Sequence, residues 1–110
     1  MHKVAFLSKH EQPLTMATHQ FRLYIAGESV NSKLAYSNLK VFCEAYYTDD
    51  YHIEQIDVLL SPDIAWAQGV TATPMLLRLA PTPTVKIMGN LSDTELLING
   101  LVDPRLSHKT

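Results

Sequence analysis

The sequence is poor in cysteine and in charge of either sign. It has 110 residues with a single cysteine, Cys43, and its 9 Lys and Arg nearly balance its 11 Asp and Glu. A single thiol excludes an intramolecular disulfide framework and any paired-cysteine motif. The missing basic excess argues against nucleic acid and against a membrane surface as partners. We therefore expect neither partner, and the lone thiol favours a reducing cytoplasm.

Long hydrophobic runs are also missing at the N-terminus. Its longest apolar run, Val4–Leu7, is too short for a signal-peptide core or a membrane span. The histidines His2, His10 and His19 are too irregularly spaced to predict a metal site. We expect a flexible extension over residues 1–18, with Met16 as an alternative start, one domain over residues 19–102, and a flexible tail over residues 103–110.

The first half of the domain alternates strand and helix patterns. Residues 21–26 are rich in aromatic and β-branched types and end at Gly27, which predicts a strand. Asn31 or Ser32 is then expected to cap a helix. The apolar face of this helix is predicted by helical spacing, and it comprises Ala35, Leu39, Phe42, Cys43 and Tyr46. A second strand is expected over residues 52–60, where Ile56, Val58 and Leu60 share one side.

The second half begins with a short helix. Ser61, Pro62 and Asp63 are typical of a helix start, and Gly69 of its end. Strands are expected at Met75–Ala80 and at residues 84–88, joined by a proline-rich turn. Finally, a helix is predicted over residues 93–99, ended by Gly100. Ser92 and Glu95 have the spacing of a capping box, and Leu91 and Leu96 have the spacing of a hydrophobic staple.

The resulting order, β-α-β-α-β-β-α, predicts an α/β domain of thioredoxin-like topology. Thr73-Pro74 stands where that fold keeps a cis-proline. One local conflict remains, because Met75–Ala80 consists of strong helix formers while the topology requires a strand. Leu96–Ile98 could conversely serve as a buried strand. Tertiary override of a weak preference is the simpler interpretation, and two competing folds are the alternative.

The chemistry of a thioredoxin-type enzyme is missing from this sequence. Such an enzyme needs a thiolate in the loop after the first strand, whereas residues 27–32 contain no cysteine. Cys43 lies about three turns into the helix, where a buried core thiol is expected. The sequence carries no phosphate-binding loop, nucleophile elbow or metal motif, so we expect no enzyme and no cofactor. Trp66 is assigned to the core, with an exposed interface anchor as the alternative.

Six short stretches of the chain match one known family in family order. They are Leu23-Tyr24-Ile25-Ala26-Gly27, Asn31-Ser32, Ile56-Asp57-Val58-Leu59, Pro62 with Ala65, Ala72-Thr73-Pro74, and Ile87-Met88-Gly89-Asn90-Leu91-Ser92-Asp93. Together these stretches are specific, and through them the chain resembles the circadian clock protein family KaiB over residues 21 to about 101.

This resemblance implies a non-catalytic adaptor that switches between two folds. The implied partner-bound state is thioredoxin-like, βαβαββα, and docks on a KaiC-type ATPase ring. The implied ground state has the order βαββααβ, is a homo-oligomer (dimer or tetramer), and is the state expected in a crystal of the free protein. In that ground state the segment Met75–Ala80 is helical and Leu96–Ile98 is a strand. KaiA or a histidine kinase with a KaiB-like domain is implied as a further partner.

The resemblance also implies two sets of site residues. The fold-switch set is Gly89, Asn90, Pro74 and Met88, and the partner-binding set is Gly27, Asn31, Leu60, Pro62, Asp63 and Trp66. Asn90 replaces the usual aspartate, and Leu60 stands where a lysine is common. These departures favour a stress-response system as the alternative to true circadian timing. A thiol-dependent or glutathione-binding enzyme and a structural oligomer that does not switch stay open as alternatives.

Overall fold

The computed structural model describes residues 17–102. Residues 1–16 of the extension expected over residues 1–18, and the tail expected over residues 103–110, lie outside them. The described residues form the predicted order of strands and helices. The elements are β1 His19–Ile25, α1 Val30–Tyr47, β2 Tyr51–Asp57, α2 Pro62–Ala67, β3 Met75–Ala80, β4 Val85–Met88 and α3 Thr94–Leu101.

The strands form one mixed sheet in the order β2-β1-β3-β4. β1 and β2 are parallel, as their connection through α1 predicts. β3 runs antiparallel to β1, and β4 returns beside β3 as the predicted hairpin. β1, β2 and β4 therefore end on the side of the sheet where β3 begins, with Ile25, Asp57 and Met88 close to Met75. We call this end of the strands the Gly27 end and the opposite end of the strands the His19 end.

The main core lies between one sheet face and the helices α1 and α3. Leu39 and Cys43 from α1 meet Phe21 and Leu76 from the sheet and Leu97 from α3. A smaller cluster of Tyr24, Met75 and Leu77 covers the other face, joined by partly buried residues that include Ile56, Val58 and Val70. The short helix α2 contributes only Ala65 to the buried residues. The two faces are therefore unequally covered.

Several predicted helix boundaries are wrong, because a neighbouring side chain provides the cap. α1 is capped by Ser29, whose hydroxyl accepts from the Ser32 amide, and not by Asn31 or Ser32. Ser32 is buried instead, and its Oγ accepts from the Ala26 amide at 3.1 Å. This bond ties the end of β1 to the first turn of α1.

α3 also differs from its predicted capping pattern. Asp93 is its N-cap and accepts from the Leu96 amide, so the capping box of Ser92 and Glu95 does not form. Leu96 is exposed, which excludes its predicted staple with Leu91. The helix continues through Gly100 to Leu101, since a glycine with helical φ need not end a helix.

Two predicted apolar positions point to solvent. Tyr46 is exposed and does not belong to the buried face of α1. β2 ends at Asp57, before the predicted end at residue 60, and Leu60 is 81% exposed in the following turn. The Asp57 carboxylate ends the strand early because its Oδ1 accepts from the Leu59 amide at 2.9 Å. That local turn competes with continued strand pairing.

Candidate partner-binding surface

The Gly27 end of the sheet gathers most of the residues that were singled out from the sequence. Gly27 has φ of 58°, a left-handed conformation that favours glycine, and it directs the chain from β1 into the α1 loop. Its amide donates to Asp57 Oδ1 at 3.0 Å. A Cβ at Gly27 would lie 3.2 Å from Leu59 Cδ1. Gly27 therefore lies directly against the turn that leads into α2.

Asp57 organises this turn, a role that the sequence interpretation missed. One oxygen, Oδ1, accepts from the amides of both Gly27 and Leu59. Its carbonyl accepts from the amides of Leu60 and Ser61. An aspartate whose side chain bonds to the backbone two residues later is a known turn signal. It was overlooked because residues 52–60 were predicted as one continuous strand.

The turn and α2 present apolar side chains to solvent. We define the α2 surface as the four exposed apolar residues between positions 59 and 66, which are Leu59, Leu60, Ile64 and Trp66. Trp66 is 87% exposed, so its assignment to the core is wrong, because α2 turns only Ala65 inward. Exposed aromatic and aliphatic groups of this kind are typical of the anchors in protein–protein interfaces.

Two further members of the partner-binding set, Pro62 and Asp63, lie beside this surface at the start of α2. Pro62 occupies the first turn of α2, where its missing N–H is tolerated, and the acidic Asp63 follows it in the same turn. Both residues are exposed. Ser61 takes the N-cap position but makes no side-chain capping bond.

The fold-switch set forms a second group at the same end of the sheet. The Gly89 amide donates to the Pro74 carbonyl at 3.0 Å, which joins the end of β4 to the start of β3. Thr73-Pro74 is a cis peptide, as its position predicted. Met88 pairs with Met75 across the two strands and is exposed. The four residues thus meet where β4 leads into α3.

Asn31 belongs with this second group and not with the α2 surface. Its Oδ1 accepts from Asn90 Nδ2 at 3.4 Å. The Asn90 carbonyl accepts from Asn38 of α1 at 2.9 Å, while Asn90 Oδ1 accepts from the Ser92 amide. Asn90 therefore joins the loop before α3 to the flank of α1.

The loop between β1 and α1, where a thioredoxin-type enzyme needs its thiolate, borders a cavity of about 240 Å³. Its lining includes Gly27, Glu28, Lys33 and Gln55 and contains no cysteine. Cys43 is fully buried in the main core, and burial raises the pKa of its thiol far above its usual value. A neutral buried thiol is a poor nucleophile. Within residues 17–102, no cluster of His, Cys, Asp and Glu could hold a metal ion.

None of the helices described for residues 17–102 has both the length and the apolar character needed to cross a membrane.

Solved structures share this fold. The N-terminal domain of Synechococcus elongatus SasA aligns with a TM-score of 0.65 and 21% identity, over 83% of this chain and 89% of that one. Mitochondrial thioredoxin 3 of Saccharomyces cerevisiae aligns with a TM-score of 0.59 and 26% identity, over 76% of each chain. These similarities confirm the predicted thioredoxin-like α/β fold.

Sequence comparisons are more specific than the fold. The chain is 40% identical over 80 residues to the circadian clock protein KaiB3 of Synechocystis sp., covering 73% of this chain and 78% of that protein. It is 40% identical over 84 residues to the circadian clock oscillator protein KaiB of Nostoc punctiforme, covering 76% and 81%. The model of the KaiB domain matches residues 22–102. The chain therefore belongs to the KaiB family.

Proposed function

We propose that the chain is a non-catalytic adaptor that binds a KaiC-type ATPase ring through the α2 surface, in a clock-like or stress-response system in the cytoplasm. The observation that carries this proposal is the exposed apolar group at the Gly27 end, with Leu60 and Trp66 more than four-fifths exposed. Membership of a family of circadian clock proteins supports the clock-related part. KaiA or a histidine kinase with a KaiB-like domain is a further candidate partner.

The position of the α2 surface suits a docking role. The turn that carries Leu59 and Leu60 is fixed by hydrogen bonds to the carboxylate and carbonyl of Asp57. Little backbone order in this turn therefore has to be created when a partner binds, which lowers the entropic cost of association. Asp63 adds negative charge beside the apolar residues. A complementary partner surface is apolar with a basic rim.

The binding test uses four forms of the full chain with the KaiC-type ATPase of the same organism. We expect the wild type to form a complex and Trp66→Ala and Leu60→Asp each to weaken it at least about tenfold, as removal of a central anchor does. Val41→Asp is the matched control, because Val41 is 68% exposed on α1, outside the α2 surface. Absence of any complex, or equal weakening by all three variants, would contradict the proposal.

The proposal includes an exchange between the described fold and the βαββααβ arrangement. The helix-forming composition of Met75–Ala80 supports it, since this segment is a strand in the described fold. The four fold-switch residues also lie together at the β3–β4–α3 junction, where such an exchange would begin. A self-associated ground state, dimer or tetramer, belongs to this proposal and is measured by light scattering on the free protein.

Simple assays distinguish two other candidate functions from the adaptor function. A thiol-dependent or glutathione-binding enzyme would reduce insulin or exchange glutathione, with the activity lost in Cys43→Ser. The burial of Cys43 disfavours this function. An oligomer without a switch would keep a constant mass and a single set of NMR signals at every temperature, with or without the ATPase.

A further inference from the structure

Arg78 of β3 is a buried cation without a carboxylate partner in the described part of the chain. Its side chain and backbone are only 4% exposed. Nη1 donates to the Leu101 carbonyl at 3.1 Å and Nη2 to the Pro83 carbonyl at 2.9 Å, while Nε has no acceptor. The guanidinium has five N–H donors, so these bonds leave most of its donors unused. Burial of a charge without a counter-ion is unfavourable.

A cavity of about 260 Å³ lies against Arg78 at the His19 end of the sheet, the end opposite to the α2 surface. Its polar lining includes His19, Tyr46 and Thr82. No aspartate or glutamate is among the described residues that line it. The volume is slightly below the range of about 300–1,000 Å³ typical of drug-sized ligands, so the cavity suits a small ligand.

Two polar groups of the lining are already hydrogen-bonded within the protein. His19 stacks on Tyr47 with ring centroids 3.7 Å apart, and its Nδ1 lies 3.2 Å from the Asp50 carbonyl oxygen. The Tyr47 hydroxyl donates to the Leu101 carbonyl, and burial raises its pKa to about 12, so it stays neutral. The hydroxyls of Tyr46 and Thr82 are therefore the donors that the lining offers to a ligand beside Arg78. The combination of a buried cation and hydroxyl donors is typical of anion recognition.

We propose that the cavity beside Arg78, lined by His19, Tyr46 and Thr82, binds a small oxyanion through its carboxylate or phosphate oxygens. The anion supplies the missing counter-charge to the guanidinium.

The site is tested by NMR titration of the ¹⁵N-labelled full chain with malonate and, separately, with inorganic phosphate. Sodium chloride at matched ionic strength is the control. We expect a saturable shift of the Arg78 Nε–H signal and of the Thr82 and Val102 amides with at least one oxyanion and not with chloride. Shifts that do not saturate, or that equal those in chloride, would overturn the proposal. No ATPase is present, so the result is independent of the proposed adaptor function.

Variants locate the binding. Arg78→Gln is expected to weaken binding at least about tenfold, because a hydrogen bond to a charged group is lost. Arg22→Gln is the matched control on β1, where Arg22 pairs with Glu54. If Arg78→Gln does not fold, Tyr46→Phe and Thr82→Val, which keep the guanidinium, are expected to weaken binding several-fold together. Wild-type binding in that double variant would overturn the site.

Discussion

The two halves of the molecule differ in how well the local sequence agrees with the fold. In β1-α1-β2 the strand and helix patterns match the observed elements within a few residues. In β3-β4-α3 the central strand Met75–Ala80 consists of helix formers. The first half is therefore specified largely by its own sequence, and the second half is specified by its packing.

The packing that holds β3 in place is visible in the sheet. β3 lies between β1 and β4, so both of its edges are hydrogen-bonded, and Met75, Leu76 and Leu77 are buried. The hydrophobic free energy gained by burial on both sheet faces outweighs a helix preference of about a few tenths of a kcal/mol per residue. In the proposed exchange, weakening of that packing would let the helix preference of Met75–Ala80 favour the alternative arrangement.

The largest difference is expected between two buried leucines of the main core. Leu39 of α1 and Leu97 of α3 are almost fully buried in the same cluster. Leu39→Ala is expected to lower the free energy of unfolding by about 2–5 kcal/mol, measured by urea unfolding with circular dichroism. Leu97→Ala should lower it less, because in the proposed exchange the second half would adopt the alternative arrangement and so limit the loss. Equal losses for the two variants would contradict this compensation.

The next largest effect is expected at Gly89. Its φ of 101° is strained for any L-amino acid with a side chain, although no atom lies within 4 Å of the position of a new Cβ. Gly89→Ala should therefore destabilise the described fold by about 1–3 kcal/mol through the backbone alone. NMR spectra should show the population of a second arrangement rising in this variant.

Gly100→Ala is the control for that experiment. Gly100 lies in α3 with helical φ, and a new Cβ would meet Ile87 Cδ1 at 3.2 Å. The gain in helix propensity, at most about 1 kcal/mol, opposes that tight contact, so we expect little net change. If both alanine variants shift the populations alike, backbone strain at Gly89 is not the cause.

The sequence predicted the element order, the cis-proline position and the buried Cys43. These features rest on periodic apolar spacing and on turn residues, which act over a few neighbouring positions. The sequence did not predict which of several neighbouring residues caps a helix. Ser29 and not Asn31 caps α1, and Asp93 and not Ser92 caps α3. Sequence pattern ranks such caps as equivalent, and only the direction of the incoming chain separates them.

The candidate site was predicted less well than the fold. The apolar residues of α2 look the same in the sequence whether they face the core or the solvent, so Trp66 was assigned to the core. A helix of only six residues has too few turns for its spacing to define a buried face. Asp57 was missed because its role depends on contact with Gly27, far away in the sequence.

Smaller effects are expected from the two N-caps. Ser29→Ala and Asp93→Ala each remove a side-chain acceptor from a helix start, which costs about 1 kcal/mol. Ser29 Oγ also donates to Ser32 Oγ, which holds the end of β1. Hydrogen exchange should therefore quicken in both β1 and α1 for Ser29→Ala and only in the second half for Asp93→Ala. Spread of the Asp93→Ala effect into β1 and α1 would contradict the separation of the halves.

The smallest effect is expected for the ion pair within the first half. Arg22 Nε lies 2.8 Å from Glu54 Oε1 between β1 and β2, and the Glu54 carboxylate is the main cause of the raised pKa of Arg22. Both side chains are partly exposed, so Glu54→Gln should cost at most about 1 kcal/mol, less at high salt. Thermal unfolding at low and high salt measures it. A larger loss would show that the first half relies on this pair more than its local sequence predicts.

The central claim is that the second half has two arrangements and that the partner-bound one is the fold described above. Chemical-exchange saturation transfer on the free ¹³C-labelled protein tests it most directly, because this method detects minor states that exchange slowly with the major one. We predict two sets of Cα shifts for Met75–Ala80, one strand-like and one helical, and a single set for residues 19–57. The helical set should disappear when the KaiC-type ATPase is added. A single strand-like set for Met75–Ala80 at every temperature would contradict the claim.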